Sequence, residues 1–403
     1  MISSEVTPRL FVPKSDVKIV MVVVDGLGGL PHPDTGRSEL ETAALPNIDR
    51  IAAAGSCGLL TPLAPGLTLG SGPAHLALFG YDPWKNEIGR GALSALGLGM
   101  PFTVGDVAAR LNFCTVNADG LVEDRRAGRI PTDLCQKLCE SLNEIEIDGA
   151  ELTVAPEREY RATVVFRGDG LAEGVSDSDP QVNGVAPQVP EPRTPKDARM
   201  ASVATEFLYQ ANQILHGQHP ANTVLIRGFG RFPSLQGMRE VYGLKSLAIA
   251  AYPMYRGVAR AVGMDVADNG LTLDSQLHSL HENWEAFDFF YLHVKATDSA
   301  GEDGDFTRKV SLLEEIDSRV AQIEKLAPGV LIVTGDHSTP AVMRGHSWHP
   351  VPVVLASPWG IPMAAASQFT ERSCALGSIG QIPSASLMTL AMAHARRLHK
   401  FGA

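Results

Sequence analysis

Apolar residues along this chain fall into two textures. In the first, they form unbroken runs. Ile19–Val24 is six consecutive apolar residues, the pattern of a strand buried on both faces within a parallel sheet. Comparable runs predict strands at 223–227, 246–250, 287–294, 330–334 and 351–355. Between them, apolar positions recur at helical spacing. Residues 45–55, entered through Pro46 and closed by Gly55, read as a helix, as do 306–326 and 384–399. The last of these ends in basic residues, which suits a helix C-terminus. Residues 61–75 are rich in Gly, Pro, Thr and Ser and predict a loop running into a helix that starts near Pro73; 89–99 is again glycine-rich. Strands alternating with helices predict an α/β core around a mostly parallel sheet.

The second texture begins near residue 103. Segments shorten and alternate (106–117, 152–154, 160–167), separated by turns such as Ala118-Asp119-Gly120 and Gly168-Asp169-Gly170. Helices are expected at 132–143 and 196–216, and the five prolines within 176–199 mark a loop. We read this region as an inserted, smaller α+β domain spanning 103–228, set between 1–102 and 229–403 of a discontinuous core.

At 403 residues the chain exceeds the size of one hydrophobic core, which agrees with two domains. A net charge of -11 argues against general affinity for nucleic acid or an anionic membrane, so an anionic small-molecule substrate would need a local cluster of arginine or lysine. The five cysteines are scattered and form no Cys-x-x-Cys, as in a reducing cytosol. Cys135 and Cys139 stand at helical spacing and read as core-facing. There is no basic segment followed by a long apolar one near the start, and we expect a cytoplasmic protein.

The chemistry concentrates where strands end. Three predicted strands run into acidic residues: Val24 into Asp25, the 287–294 strand into Asp298, and Leu331–Val333 through Thr-Gly into Asp336 and His337. One such carboxylate commonly just starts a turn or caps a helix. Several that converge repel one another unless a cation neutralises them. Glu302 follows Asp298 by four residues, so the two share a face if the turn is helical; otherwise Glu302, Asp303 and Asp305 are solvated charges. His346 and His349 follow shortly after His337. Asp with His suits manganese or zinc better than calcium or magnesium. Ser71 lies between Gly70 and Gly72 at a predicted helix start, where backbone N–H groups suit phosphate. Serine needs a base or a metal to act as a nucleophile, and no Gly-x-Ser-x-Gly elbow is present. The bland alternative is a flexible glycine turn. Arg110, Arg125, Arg126, Arg129 and Arg161 crowd the insertion, with Arg227 and Arg256 at its edge and beyond. Guanidinium forks grip phosphate and carboxylate; singly, each is ordinary surface charge.

These residues resemble a known family. Val23-Val24-Asp25-Gly26, Thr42 through Asp49, Gly70-Ser71 through Pro83, Gly89-Arg90-Gly91, Asp124-Arg125-Arg126-Ala127-Gly128-Arg129, Thr334 through Pro340 and the closing Lys400-Phe401-Gly402-Ala403 look like the archaeal-type cofactor-independent phosphoglycerate mutases of the alkaline phosphatase superfamily. The resemblance implies an alkaline-phosphatase-like core with two divalent ions (manganese preferred; zinc, cobalt or magnesium as alternatives), no bisphosphoglycerate, and an inserted domain that closes over substrate. By motif it implies one ion on Asp25, Ser71, Asp336 and His337, and the other on Asp298, Glu302 and a histidine before Pro350-Val351-Pro352. That histidine is His346 by alignment, with His349 the lesser candidate. Glu302 stands where the family usually has histidine, and Arg256 where lysine is more usual. His75, Arg110, Asp124, Arg125, Arg126, Arg129, Arg161, Arg227 and Arg256 are the implied substrate contacts, His75 also a candidate for proton transfer.

The activity expected is interconversion of 3-phosphoglycerate and 2-phosphoglycerate through a phosphoserine on Ser71. The alternatives are a metal-dependent phosphatase or sulfatase, a homoserine-kinase-like phosphotransferase, and, from another class, a non-catalytic metal- or phosphate-binding module.

Overall fold

Ile19–Val24 is the strand β1, and all six residues are buried. The reason is its position: it lies between two other strands in the middle of a sheet covered on both faces. The computed structural model describes residues 2–12, 15–268 and 270–402; Ala403, the last residue of the closing motif, lies outside them. In chain order the other strands are β2 (Ser56–Thr61), β3 (Val107–Val116), β4 (Val122–Asp124), β5 (Glu151–Arg158), β6 (Arg161–Arg167), β7 (Thr223–Arg231), β8 (Ser246–Ile249), β9 (Asp265–Val266), β10 (Phe289–Val294), β11 (Val330–Thr334), β12 (Val351–Ala356) and β13 (Gly380–Pro383). No helix among the described residues is long and apolar enough to cross a membrane.

The chain divides into two compact units, residues 1–87 with 236–403, and residues 88–235. In the first, eight strands run in the order β13-β2-β12-β11-β1-β10-β8-β9. Only the β11–β12 and β12–β2 pairings are antiparallel, so the sheet is mostly parallel. Strands β2 and β13 escaped the sequence reading because neither is a clean apolar run. Gly58 interrupts β2 for a steric reason: a Cβ there would lie 2.4 Å from the carbonyl oxygen of Gly380 on β13.

The second unit is a five-stranded sheet around β3, which pairs antiparallel with β4, β6 and β7. Phe113, Phe166 and Phe207 belong to its core, with Cys135 and Cys139 of the helix Thr132–Leu142. The 223–227 run, grouped by texture with the core strands, is therefore part of this other sheet as β7. The border also falls earlier than 102/103. The glycine-rich stretch is the helix Arg90–Leu98, which packs on β3 and β7 and so belongs with them.

The C-terminal helix is shorter than the expected 384–399. It runs from Leu387 to His394. Arg396 then takes a positive φ of 53°. Arg397 turns inward, its guanidinium donating to Ser15 O at 2.7 Å and Val17 O at 2.9 Å. Partly buried carbonyls needing donors, not the helix dipole, account for this basic residue.

Candidate metal centre

Strands β11, β1 and β10 are neighbours and parallel, so their carboxyl ends lie side by side. In open α/β sheets this is where ligands collect. Asp25 follows β1 directly. Asp336 and His337 follow β11 after one glycine. Asp298 lies in the first turn of the helix Ala296–Asp303, which β10 feeds. Ser71 is the first residue of the helix Ser71–Leu78, two residues earlier than the expected start at Pro73. All belong to the first unit.

Two groups of side chains there are close enough to hold an ion: Asp25, Asp336 and His337, and Asp298, His337 and His346. His337 is common to both. Its Nε2 lies 3.1 Å from Ser71 Oγ, 3.2 Å from Asp336 Oδ2 and 3.4 Å from Asp25 Oδ1. His346 stacks on His337 with ring centroids 3.7 Å apart, and its Nε2 is 3.4 Å from Asp298 Oδ1. The Nδ1–H of His346 donates to Leu69 O at 2.9 Å. That leaves its Nε2 facing the cluster. With no cation there it meets Asp298 as an N–H, and the Asp298 hydrogen bond raises the His346 pKa, whereas a cation would take its lone pair. His349 is elsewhere, stacked on Trp348 and bonded to Ser347. Glu302 approaches His346 Nε2 at 3.7 Å, but its side chain is 54% exposed and stands outside both groups.

The donor set fits cations. Asp25 Oδ1 and Asp336 Oδ2 are buried with no hydrogen-bond partner. Such orphaned oxygens are costly unless something positive meets them. Burial raises the Asp25 carboxyl, but the His293 hydrogen bond and charge, Lys295 and His337 outweigh it and hold it far below the usual carboxylate range. Burial and the Asp25 charge push Asp336 well above that range. The two carboxylates thus compete for ionisation when no cation is shared between them. Burial alone also raises Asp298, yet the His346 hydrogen bond and Lys295 bring it down to about 2. Burial lowers His337 to about 4, which keeps it a neutral ligand at neutral pH.

Several supporting residues were not anticipated. His293 on β10 is in register with Val23 of β1 and lies 3.2 Å from Asp25 Oδ2. The Tyr255 hydroxyl donates to the same oxygen, and its ring stacks on His293. Lys295 Nζ bridges Asp298 Oδ2 at 2.5 Å and Asp25 Oδ2 at 3.3 Å. Each lies within a strand end or helix that reads as ordinary core, and only the register reveals what it faces. His75, expected to touch substrate, is completely buried. Its Nδ1–H donates to Ser71 O at 2.8 Å, one helical turn back, with Asp336 Oδ2 at 3.3 Å. It therefore braces Ser71 and Asp336 from below.

The second unit gathers three of the expected arginines. Arg125 grips Asp179 bidentately at 2.8 and 2.7 Å, and Arg227 Nη1 lies 3.6 Å from the same carboxylate. Arg110 pairs with Arg227 across β3 and β7 and reaches Glu157 at 3.2 Å. Burial and the Arg110 charge lower the Arg227 pKa. The other three lie apart: Arg126 is exposed, Arg129 faces Glu159 at 3.6 Å, and Arg161 lies over the Tyr160 ring. Asp124 shapes its own loop by accepting from the N–H groups of Arg126 and Gly128. Arg256 belongs to the first unit, where its Nε is buried without a hydrogen-bond partner.

A family model described as 2,3-bisphosphoglycerate-independent phosphoglycerate mutase matches residues 52–222. A Thermus thermophilus protein described as a probable 2,3-bisphosphoglycerate-independent phosphoglycerate mutase is 47% identical over 395 residues, covering 97% of each chain. A solved Pyrococcus horikoshii protein superposes with a TM-score of 0.83 at 28% identity, covering 97% of this chain and 100% of that one. The cofactor-independent phosphoglycerate mutase of Thermoplasma acidophilum gives a TM-score of 0.75 at 30% identity, covering 94% of this chain and 100% of that one. The core is thus of the alkaline-phosphatase-like α/β type with an inserted unit, and on identity extending over nearly its whole length, the chain belongs to the 2,3-bisphosphoglycerate-independent phosphoglycerate mutase family.

Proposed function

We propose that this protein interconverts 3-phosphoglycerate and 2-phosphoglycerate without a bisphosphoglycerate cofactor, through a phosphoserine on Ser71. The observation that carries the reading is the position of the Ser71 hydroxyl: 3.1 Å from Nε2 of His337, the residue common to both ion-holding groups. Asp25, Asp336, His337 and Ser71 would hold one divalent ion, and Asp298 and His346 the other, with Glu302 an exposed carboxylate beside His346 that stands outside the group in this structure. The oxygen-rich donor set supports manganese. When bound, the ions neutralise phosphoryl charge and lower the pKa of the attacking hydroxyl.

The chain's own residues do the rest. Ser71 Oγ bonds to phosphorus as the substrate's P–O ester bond breaks, and the serine proton passes in net to the departing oxygen, leaving glycerate with both hydroxyls and its carboxylate charge. The other glycerate hydroxyl then bonds to phosphorus as the Ser71 Oγ–P bond breaks, its proton returning in net to Ser71 Oγ. The helix start presents backbone N–H groups to the phosphoryl oxygens. The Arg110, Arg125 and Arg227 cluster offers forked donors suited to a small anion, and Arg256 a further buried one. The five unpaired cysteines support a cytoplasmic location.

The test supplies 3-phosphoglycerate and Mn²⁺ and follows 2-phosphoglycerate through enolase. Wild-type protein should form the isomer, and Ser71→Ala should lose it while keeping its fold. Free phosphate without isomer would identify a phosphatase instead. Full mutase activity in Ser71→Ala would overturn the phosphoserine.

A further inference from the structure

Thr339 lies two residues beyond His337 and is completely buried. Its Oγ1 is 2.7 Å from Asp298 Oδ1 and 3.1 Å from His337 Nδ1. A hydroxyl has one proton to give, and an ionised carboxylate can only accept. The threonine proton therefore points at Asp298. Its oxygen is left to accept from His337 Nδ1–H. With that proton on Nδ1, the His337 lone pair is on Nε2, the atom that faces Ser71, Asp25 and Asp336.

We propose that Thr339 is a positioning residue that couples the two ion-holding groups, one hydroxyl fixing both the tautomer of His337 and the orientation of Asp298. The inference rests on the two-ion reading above. Outer partners of metal-ligating histidines commonly set tautomer and ring orientation. What is particular here is that a single oxygen serves a ligand of each group.

The surroundings are built to hold that oxygen in place. The Thr339 carbonyl accepts from Lys309 Nζ at 2.9 Å, and the same ammonium donates to Gly28 O at 3.1 Å. Lys309 is fully buried, so it ties the loop after β1 to the loop after β11. Two glycines keep the space clear. A Cβ on Gly26 would lie 2.5 Å from Thr339 Oγ1, and one on Gly301 would lie 2.3 Å from Thr339 O.

The test titrates Mn²⁺ into metal-free protein by calorimetry. Wild-type protein should bind two ions. Thr339→Val keeps the shape and removes both hydrogen bonds, and should weaken both ions by about 10- to 100-fold. Thr339→Ser keeps the hydroxyl and should restore both. Circular dichroism of the metal-free variants checks the fold. If Thr339→Val does not fold, Thr339→Ala must show the same loss. In Mg²⁺-loaded wild type carrying ¹⁵N-histidine, the His337 Nδ1–H should exchange slowly with solvent. The coupling is overturned if the hydroxyl-free variants bind both ions at wild-type strength, if only one ion weakens, if Thr339→Ser fails to restore binding, or if the Nδ1–H exchanges as fast as an exposed histidine. Wild-type protein that binds fewer than two ions would overturn the two-ion reading itself, an outcome the variants do not mimic.

Discussion

His293 Nε2 on β10 and Oδ2 of Asp25, the residue just past the neighbouring parallel strand β1, lie 3.2 Å apart, both wholly buried. The register explains the pairing. His293 is opposite Val23, and Asp25 is two residues beyond Val23, on the same face of the sheet. The imidazole N–H thus holds one oxygen of Asp25 and leaves Oδ1, the oxygen without a partner, to face His337. His293→Phe keeps the ring and loses the donor. It should lower mutase activity and Mn²⁺ affinity by about 10- to 100-fold. His293→Gln, which retains an N–H, should lose less of both. Equal losses in the two variants would mean that the ring's packing matters and its hydrogen bond does not.

Burial lowers the buried His75 to about 3, with the His293 charge adding to it. Unfolded, the same side chain titrates near 6.5. Between these values the unfolded chain carries a proton that the folded chain lacks, so stability rises with pH across the window. The contribution is complete above about 6.5 and disappears as pH falls to about 3, on the order of 5 kcal/mol in total. Thermal unfolding of the metal-free protein should show this loss, starting above the range where ordinary carboxylates titrate. His75→Gln should flatten the slope between pH 6.5 and 4. An unchanged slope in that variant would show that His75 is already protonated in the folded protein.

Gly26 combines a left-handed backbone, φ 64°, with a neighbour 2.5 Å from where a Cβ would stand. Gly36 has a similar φ of 67° and nothing within 4 Å. The two separate backbone strain from crowding. Gly36→Ala should cost about 1 kcal/mol, the backbone cost alone. Gly26→Ala should cost about 1–3 kcal/mol more, and it should also weaken Mn²⁺ binding, because Thr339 and Asp298 must move. Denaturant melts of both variants, with a Mn²⁺ titration of each, check this. Equal costs and intact binding in Gly26→Ala would mean that the Thr339 side yields freely.

Which parts of the site could be read in advance follows from the same geometry. Asp25, Asp298 and Asp336 stand out because each follows a mostly apolar strand, directly or within a few residues, and parallel neighbours must bring such ends together. Motif resemblance alone favours His346 over His349; the Nδ1–H bond to Leu69 O turns its ring inward. His293 and Tyr255 were invisible. A lone histidine inside an apolar strand reads as core until its neighbour in register is known, and Tyr255 reaches Asp25 from a helix 230 residues away in sequence. In the second unit, the arginines were visible as density. Asp179, which organises them, lies in a proline-rich loop that gives no periodic signal.

Arg110 and Arg227 face each other across β3 and β7, a like-charge pair that ordinarily destabilises a sheet. Asp179 offsets part of this, but Arg125 already holds that carboxylate by two bonds at 2.8 and 2.7 Å. Arg227 is thus the more weakly anchored cation, 3.6 Å from Asp179, and stability alone gives little reason to keep it. A residue that costs stability is explained if it binds an anion. Arg227→Gln should therefore leave thermal stability unchanged or raise it by up to ~1 kcal/mol. The same change should raise the KM for 3-phosphoglycerate by about 10- to 100-fold, the worth of one charge-assisted hydrogen bond. Steady-state kinetics and a melting curve on the same preparation decide the matter. A lower melting temperature with an unaltered KM would make Arg227 a structural partner of Asp179, and the anion grip would then have to rest on Arg110 and Arg125.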